Sequence, residues 1–331
     1  MQTLTLDAEG KPEVSSGPVP VCNDEDVLVK VRACVLSRRS VADSGADPSS
    51  TANGAHGAIS RSFTGIIEST GRLVDSPGRL VGSPGGRVDS LGRGDRVVAC
   101  LTDGGFSEYR SVPANQAVKL PQGVSYEEGA IAGLMPTVLK GVERAEVEGS
   151  TVFVSGAGTT GLLGTQVSSI SGAAAVIVSD LHAKRLQRAA DTGSDTLINA
   201  STEDVHRRVM DRTGGQGVDV SLECAGNGTS FAQCAAVLRP GGKLVVLKAD
   251  THTVSIDMRE WSERSLQLIM GHEQSFETPY LVDRGLKLVG IGAVRLRPLL
   301  THVFPAHRAV EALELIDDHP DLAVEVALIW G

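Results

Sequence analysis

Three glycines and one aspartate carry the strongest chemical signal in this chain. Gly156-Ala157-Gly158-Thr159-Thr160-Gly161 follows the strand-like run Thr151–Ser155 and leads into a helical stretch, 161–170. In such a pattern the first glycine permits a tight turn. The second leaves bare backbone for a pyrophosphate, and the third lets helix and strand approach closely. The helix N-terminus adds amide donors and the positive end of a dipole. A second apolar run, 174–179, ends at Asp180, 19 residues beyond Gly161. A carboxylate at that spacing accepts hydrogen bonds from the adenosine ribose hydroxyls and repels a 2′-phosphate. The pattern predicts NAD(H) over NADP(H). Arg185, a cation close behind Asp180, softens that preference.

The elements needed to position these residues are also readable. From about Glu127 the rhythm is alternating. A helical stretch 127–145 is divided or kinked by Pro136, and strands and helices then follow in turn. Strands are expected at 151–155, 174–179, 218–223 and 243–247, with helices at 161–170, 183–191 and 230–238. Alternation at this spacing predicts an α/β fold with a doubly wound parallel sheet. Residues 1–120 instead read as short β-branched runs, among them 27–31, 63–67 and 96–99, broken by Gly, Pro, Ser and Asp. A helix is expected at 306–318 and a last strand at 324–329. The motif GRLVDSP at 71–77 recurs as GRLVGSP at 78–84 and GRVDSL at 86–91. Units this short cannot bury a core, so the repeat predicts an extended surface loop rather than a solenoid.

Composition narrows the function. The 331 residues allow two domains, and 41% hydrophobic with 21% charged residues is globular composition. A net charge of −9 and 3% aromatic residues argue against nucleic acid as partner. No apolar run approaches the roughly 20 residues that cross a bilayer, so no membrane partner is expected. The N-terminal MQTLTLDAEGKPEV has no secretory pattern, and the five cysteines form no CxxC pair. Together these predict reduced thiols and a cytoplasmic location.

Several segments, taken in order, resemble the medium-chain dehydrogenase/reductase superfamily, in particular its alcohol and polyol dehydrogenase branch. Residues 26–34 (DVLVKVRAC) look like the opening strand of its GroES-like domain. GDRV at 94–97, GFSEY at 105–109 and AVKLP at 117–121 match later stretches. VDVSLECAG at 218–226 resembles its fourth cofactor-domain strand, and PGGK at 240–243 the turn after it. The resemblance implies a GroES-like β-rich catalytic domain, 1–134 with 270–331, and a Rossmann NAD-binding domain, 135–269. It also implies a small-molecule substrate and a homodimer. Beside the glycine loop it places Thr159, Thr160, Ala225, Gly226, Arg38 and Thr137 at the cofactor, with Thr137 on the nicotinamide.

The chain departs from that branch at its metal sites. The three zinc-ligand positions fall on Ser37, Arg61 and near Gly133, none a plausible ligand, and the cysteine-rich structural zinc loop is missing. No metal is therefore expected. The segment 271–273 reads GHE but lies far along the chain from the family's motif, with no second ligand at suitable spacing. The proton-relay positions fall on Arg39 and Ala42. Catalytic candidates are Arg39 and Arg61, as oxyanion donors or clamps on an anionic substrate group, with Ser37 and Ser62 beside them. Lys248 reads either as a general acid or as a solvent-facing lysine. His272 reads as a general acid/base or as a surface or interface histidine, and His56 as part of a surface loop. Three functions stay open: alcohol/ketone interconversion without zinc, enoyl (C=C) reduction, and NAD binding without turnover.

Overall fold

The computed structural model describes residues 1–6, 12–38, 58–59, 62–74, 90–99, 106–248, 253–271 and 278–331. Two compact units are present. The first comprises 1–135, 274–292 and 300–331, the second 136–273 and 293–299.

The first unit is built on one long strand, Asp26–Arg38. It runs antiparallel to Phe63–Thr70 on one side and Glu325–Ile329 on the other. Tyr109–Pro113 pairs with its first half and Ala58–Ile59 with its end. Leu300–Pro305, Arg96–Ala99 and Ala117–Lys119 complete an eight-stranded sheet. Val27, Val29 and Val31 are fully buried at the two-residue period of a half-buried strand. Further on, Ala33, Cys34, Val35 and Leu36 are buried without alternation. The helices Tyr126–Ile131 and Ala309–Asp318 pack against this strand. Register shifts at Leu28/Val29 and Val31/Ala33 add bulges that bend it.

The expected helix 127–145 is divided, as Pro136 required. Tyr126–Ile131 starts on a capping box formed by Ser125 and Glu128. A 3-10 turn, Ala132–Leu134, follows, and a second helix runs Met135–Ala145. Pro136 sits in the first turn of that helix, where its missing N–H costs least.

The second unit holds six parallel strands: β1 (Thr151–Ser155), β2 (Ala175–Asp180), β3 (Thr196–Asn199), β4 (Val218–Glu223), β5 (Leu238–Val246) and β6 (Gln267–Met270). Their spatial order is β3-β2-β1-β4-β5-β6. The helices between them are α1 (Thr159–Ile170), α2 (Ala183–Ala190), α3 (Val205–Arg212), α4 (Gly228–Ala236) and α5 (Met258–Glu263). This is the doubly wound Rossmann order, whose switch point lies between β1 and β4. Phe153, Ile177, Ile198, Leu222 and Leu244 are fully buried at its centre. Residues 293–299 group with this unit. Gln166 on α1 accepts from the Arg295 amide at 2.8 Å and donates to the Arg295 carbonyl at 3.1 Å. Arg188 on α2 donates to the Pro298 carbonyl at 3.1 Å. Among the described residues no helix is long and apolar enough to cross a membrane.

Candidate functional site

The glycine loop lies at the C-terminal ends of β1 and β4. Gly156 has φ of +100°, a region open to glycine at little cost. A Cβ there would stand 3.1 Å from the Ala225 amide nitrogen and 3.3 Å from its Cα. The loop thus packs directly against the turn that follows β4. Gly161 is more constrained still, since a Cβ would stand 1.7 Å from the Gly156 carbonyl oxygen. Gly158 differs. It is the N-cap of α1, and a Cβ on it would meet nothing nearer than the Arg185 guanidinium at 3.8 Å. So Gly156 and Gly161 are required by the fold, whereas Gly158 keeps space clear beside a helix N-terminus and a cation. The α1 ladder opens with the Leu162 amide on the Gly158 carbonyl, with Thr159 buried and Thr160 half-buried in the first turn.

Asp180 closes β2 and is buried. One carboxylate oxygen accepts from the Ala157 amide at 2.7 Å, the other from the His182 amide at 2.8 Å. The first of these bonds ties β2 to the glycine loop. Each oxygen retains a lone pair, so the group can still accept from a ligand hydroxyl. Half-buried Arg185 is in the first turn of α2.

The last residue of β4 is one to which sequence reasoning gave no role. Glu223 is buried, and its Oε1 accepts from the Ala225 amide at 3.0 Å, the Gly226 amide at 2.8 Å and the Ser230 hydroxyl at 2.5 Å. Burial pushes its carboxyl above the ordinary glutamate range, opposed by those donors and by the Lys248 charge. Its only signal in the sequence is an acid closing a strand-like run. Lys248, just past β5, is exposed. Its Nζ lies 3.5 Å from the Ala225 carbonyl oxygen. Burial also pushes the Cys224 and Cys234 thiols upward, so neither is a ready nucleophile.

The loop, Asp180, Ala225, Gly226 and Lys248, at the ends of its strands, and Arg185, in the first turn of α2, are therefore all in the second unit. Thr137 is half-buried in the helix Met135–Ala145 of the same unit. In the first unit, Ser62 is buried and donates to the Ala130 carbonyl. Ser37 and Arg38 end the strand Asp26–Arg38, and their side chains lie outside the described residues. Arg39, Ala42, His56, Arg61, Cys100 and His272 also lie outside them, as does 75–89 of the repeat. Gly133, near the third ligand position, sits in the 3-10 turn and offers no donor atom. Among the described residues no three His, Cys, Asp or Glu side chains gather into a group able to hold a metal ion. The residues at the ligand positions, Ser37, Arg61 and Gly133, do not fit zinc.

A family model described as zinc-binding dehydrogenase matches residues 159–291. L-threonine 3-dehydrogenase of Pyrococcus abyssi is 34% identical over 218 residues, 65% of this chain and 62% of that protein. Sorbitol dehydrogenase of Gallus gallus is 31% identical over 216 residues, 64% of this chain and 59% of that protein. The chain thus spans about three fifths of the length of these curated relatives. The fold is that of the alcohol dehydrogenase TADH from Thermus sp. ATN1, with a TM-score of 0.81 and 22% identity across 100% of both chains.

Proposed function

We propose that the chain, which is similar to medium-chain dehydrogenases/reductases over about two thirds of its length, is an NAD(H)-dependent oxidoreductase interconverting a polar secondary alcohol and a ketone without zinc. The observation that carries this reading is Asp180. It is anchored by two backbone amides at the end of β2, and one of them belongs to the glycine loop. A carboxylate fixed there meets ribose hydroxyls and repels an added phosphate. The cofactor, when bound, supplies or accepts the hydride at the carbonyl carbon. The chain's own residues do the rest. The 156–161 loop and the α1 N-terminus take the pyrophosphate, with Arg38 and Arg185 as cations. Thr137, Ala225 and Gly226 border the nicotinamide end. Arg39 or Arg61 stabilises the developing oxyanion or grips an anionic substrate group, flanked by Ser37 and Ser62. Lys248 and His272 are the candidates to move the proton.

The substrate class rests on the relatives, named for L-threonine and sorbitol. The ligand-free zinc positions also favour a second reading, enoyl reduction, which needs an oxyanion donor and a late proton but no Lewis acid. The reading is completed by a cytoplasmic location and a homodimer, with the domains divided as the resemblance implies.

The test follows NADH and NADPH binding by fluorescence, then NADH consumption against a panel of polar ketones and a panel of α,β-unsaturated carbonyls. Ketone turnover with NADH is the expected result. Turnover of the unsaturated panel alone would favour the second reading. Binding with neither panel consumed would leave a non-catalytic NAD-binding protein, and no binding of either nucleotide would end the case. Metal analysis after dialysis is expected to find no zinc, and one zinc retained per chain would overturn that part of the reading.

A further inference from the structure

The turn 224–226 stands between two side chains that the proposed chemistry does not explain together. Beneath it, all three donors around Glu223 converge on one oxygen, Oε1. Above it, Lys248 donates its own amide to the Glu223 carbonyl at 3.3 Å and sets Nζ near the Ala225 carbonyl. The same turn is what a side chain on Gly156 would strike. It therefore forms the wall facing the glycine loop at the switch point, where doubly wound sheets bind their ligands. A buried carboxylate is costly where a neutral group would serve. Its retention here calls for a role of the charge.

We propose that Glu223 is a positioning residue for the dinucleotide, its ionised carboxylate holding the 224–226 turn against the glycine loop and drawing Lys248 over that turn. The inference rests on the cofactor reading above. A protonated Glu223 keeps an acceptor but loses the charge that strengthens three hydrogen bonds and attracts Lys248. Nucleotide affinity should then fall as pH drops through its titration. The other groups facing it are Lys248 beyond β5, the Cys224 thiol in the turn and the Cys234 thiol on α4. Asp180 reaches the same loop through the Ala157 amide. All of these are shared by wild type and a Glu223 variant, so the difference between their profiles isolates Glu223.

Glu223→Gln is the informative change, because its amide oxygen can occupy the Oε1 position and keep all three donors. NADH dissociation constants and melting temperatures would be measured from pH 5 to 9 for wild type and E223Q. At pH 8, E223Q should bind NADH about five- to tenfold more weakly and melt no lower than wild type. Its affinity relative to wild type should converge at the acid end, where wild type loses the same charge. A merely structural role would lower the melting temperature and leave the two affinity profiles parallel. Equal affinities throughout, or parallel profiles, overturn the inference while leaving the cofactor reading intact. If E223Q melts well below wild type, Lys248→Met decides: the proposal then requires a weaker NADH affinity with unchanged melting, and unchanged affinity overturns it. A wild type that binds neither nucleotide removes both readings, so the two failures are distinct.

Discussion

In the proposed reading Asp180 serves both the glycine loop and the cofactor ribose, and the two roles can be separated by experiment. Its hydrogen bond from the Ala157 amide holds the glycine loop, which any dinucleotide would use. Its remaining acceptor capacity faces the ribose only if the cofactor lacks a 2′-phosphate. Asp180→Ala should therefore weaken NADH binding by about 1.5–3 kcal/mol, the usual worth of hydrogen bonds to a charged group. NADPH should lose less, because loop loosening penalises both nucleotides but removal of a repelling carboxylate favours NADPH. The measurable quantity is the ratio of the two dissociation constants. An unchanged ratio in the variant would count against the ribose contact and leave only the loop anchor. Glu223 carries a pH signature of the opposite sign from a salt-bridged acid. Its folded-state pKa is raised by burial. Its contribution to stability is thus complete at low pH and declines as pH rises through the folded value. Wild-type melting should fall relative to E223Q over that window, and a gap between them that does not vary with pH would contradict the assignment of burial as the dominant cause.

At the scale of elements, the glycine loop offers a matched pair of substitutions. Gly161→Ala puts a methyl group onto the Gly156 carbonyl, a backbone atom that cannot swing aside. It should destabilise the fold by about 1–3 kcal/mol or more, visible in denaturant melts. Gly158→Ala meets no neighbour closer than 3.8 Å and has an ordinary φ of −75°. Its melt should match wild type while NADH affinity falls at least about tenfold, since the methyl group occupies the proposed pyrophosphate space. Wild-type affinity in G158A would remove the phosphate from that position. The same elements show what the sequence could disclose. β1 and β4 coincide with their expected spans because strands buried on both faces read as continuous apolar runs. β3, TLIN at the sheet edge, buries only Ile198 fully and carried no usable pattern. The helix Thr278–Gly290 escaped notice because Gly285 reads as a breaker. In the structure that glycine is there for packing, as a Cβ would come within 2.9 Å of the Met135 side chain. Of the candidate site, the glycine turn before α1 and the position of Asp180 at the end of β2 were legible from spacing alone. Glu223 was not, because an acid closing a strand ordinarily points to solvent, and only the fold brings Ser230 and two turn amides around it.

At the scale of the molecule, the second unit's sheet ends in a strand that is poorly protected. β6 is four residues long and borders β5 on one side, with no strand beyond it among the described residues. Its Leu268 is 43% exposed and its Met270 44%. Edge strands usually avoid such side chains, because unpaired backbone beside apolar groups recruits further strands. No lysine, arginine, proline or acid interrupts Gln267–Met270. A two-fold axis beside β6 would pair the edge with its own copy and cover both residues, the self-complementary contact of a closed dimer. Light scattering coupled to size exclusion should accordingly report twice the chain mass for wild type. Leu268→Lys combined with Met270→Lys places charge on both exposed positions without touching the buried face of the sheet. That variant should run as a monomer, with its NADH affinity close to wild type because the glycine loop lies at β1 and β4, away from this edge. A dimer that persists in the double variant would move the interface elsewhere, and a wild type that is monomeric at micromolar concentration would leave the exposed edge to another partner.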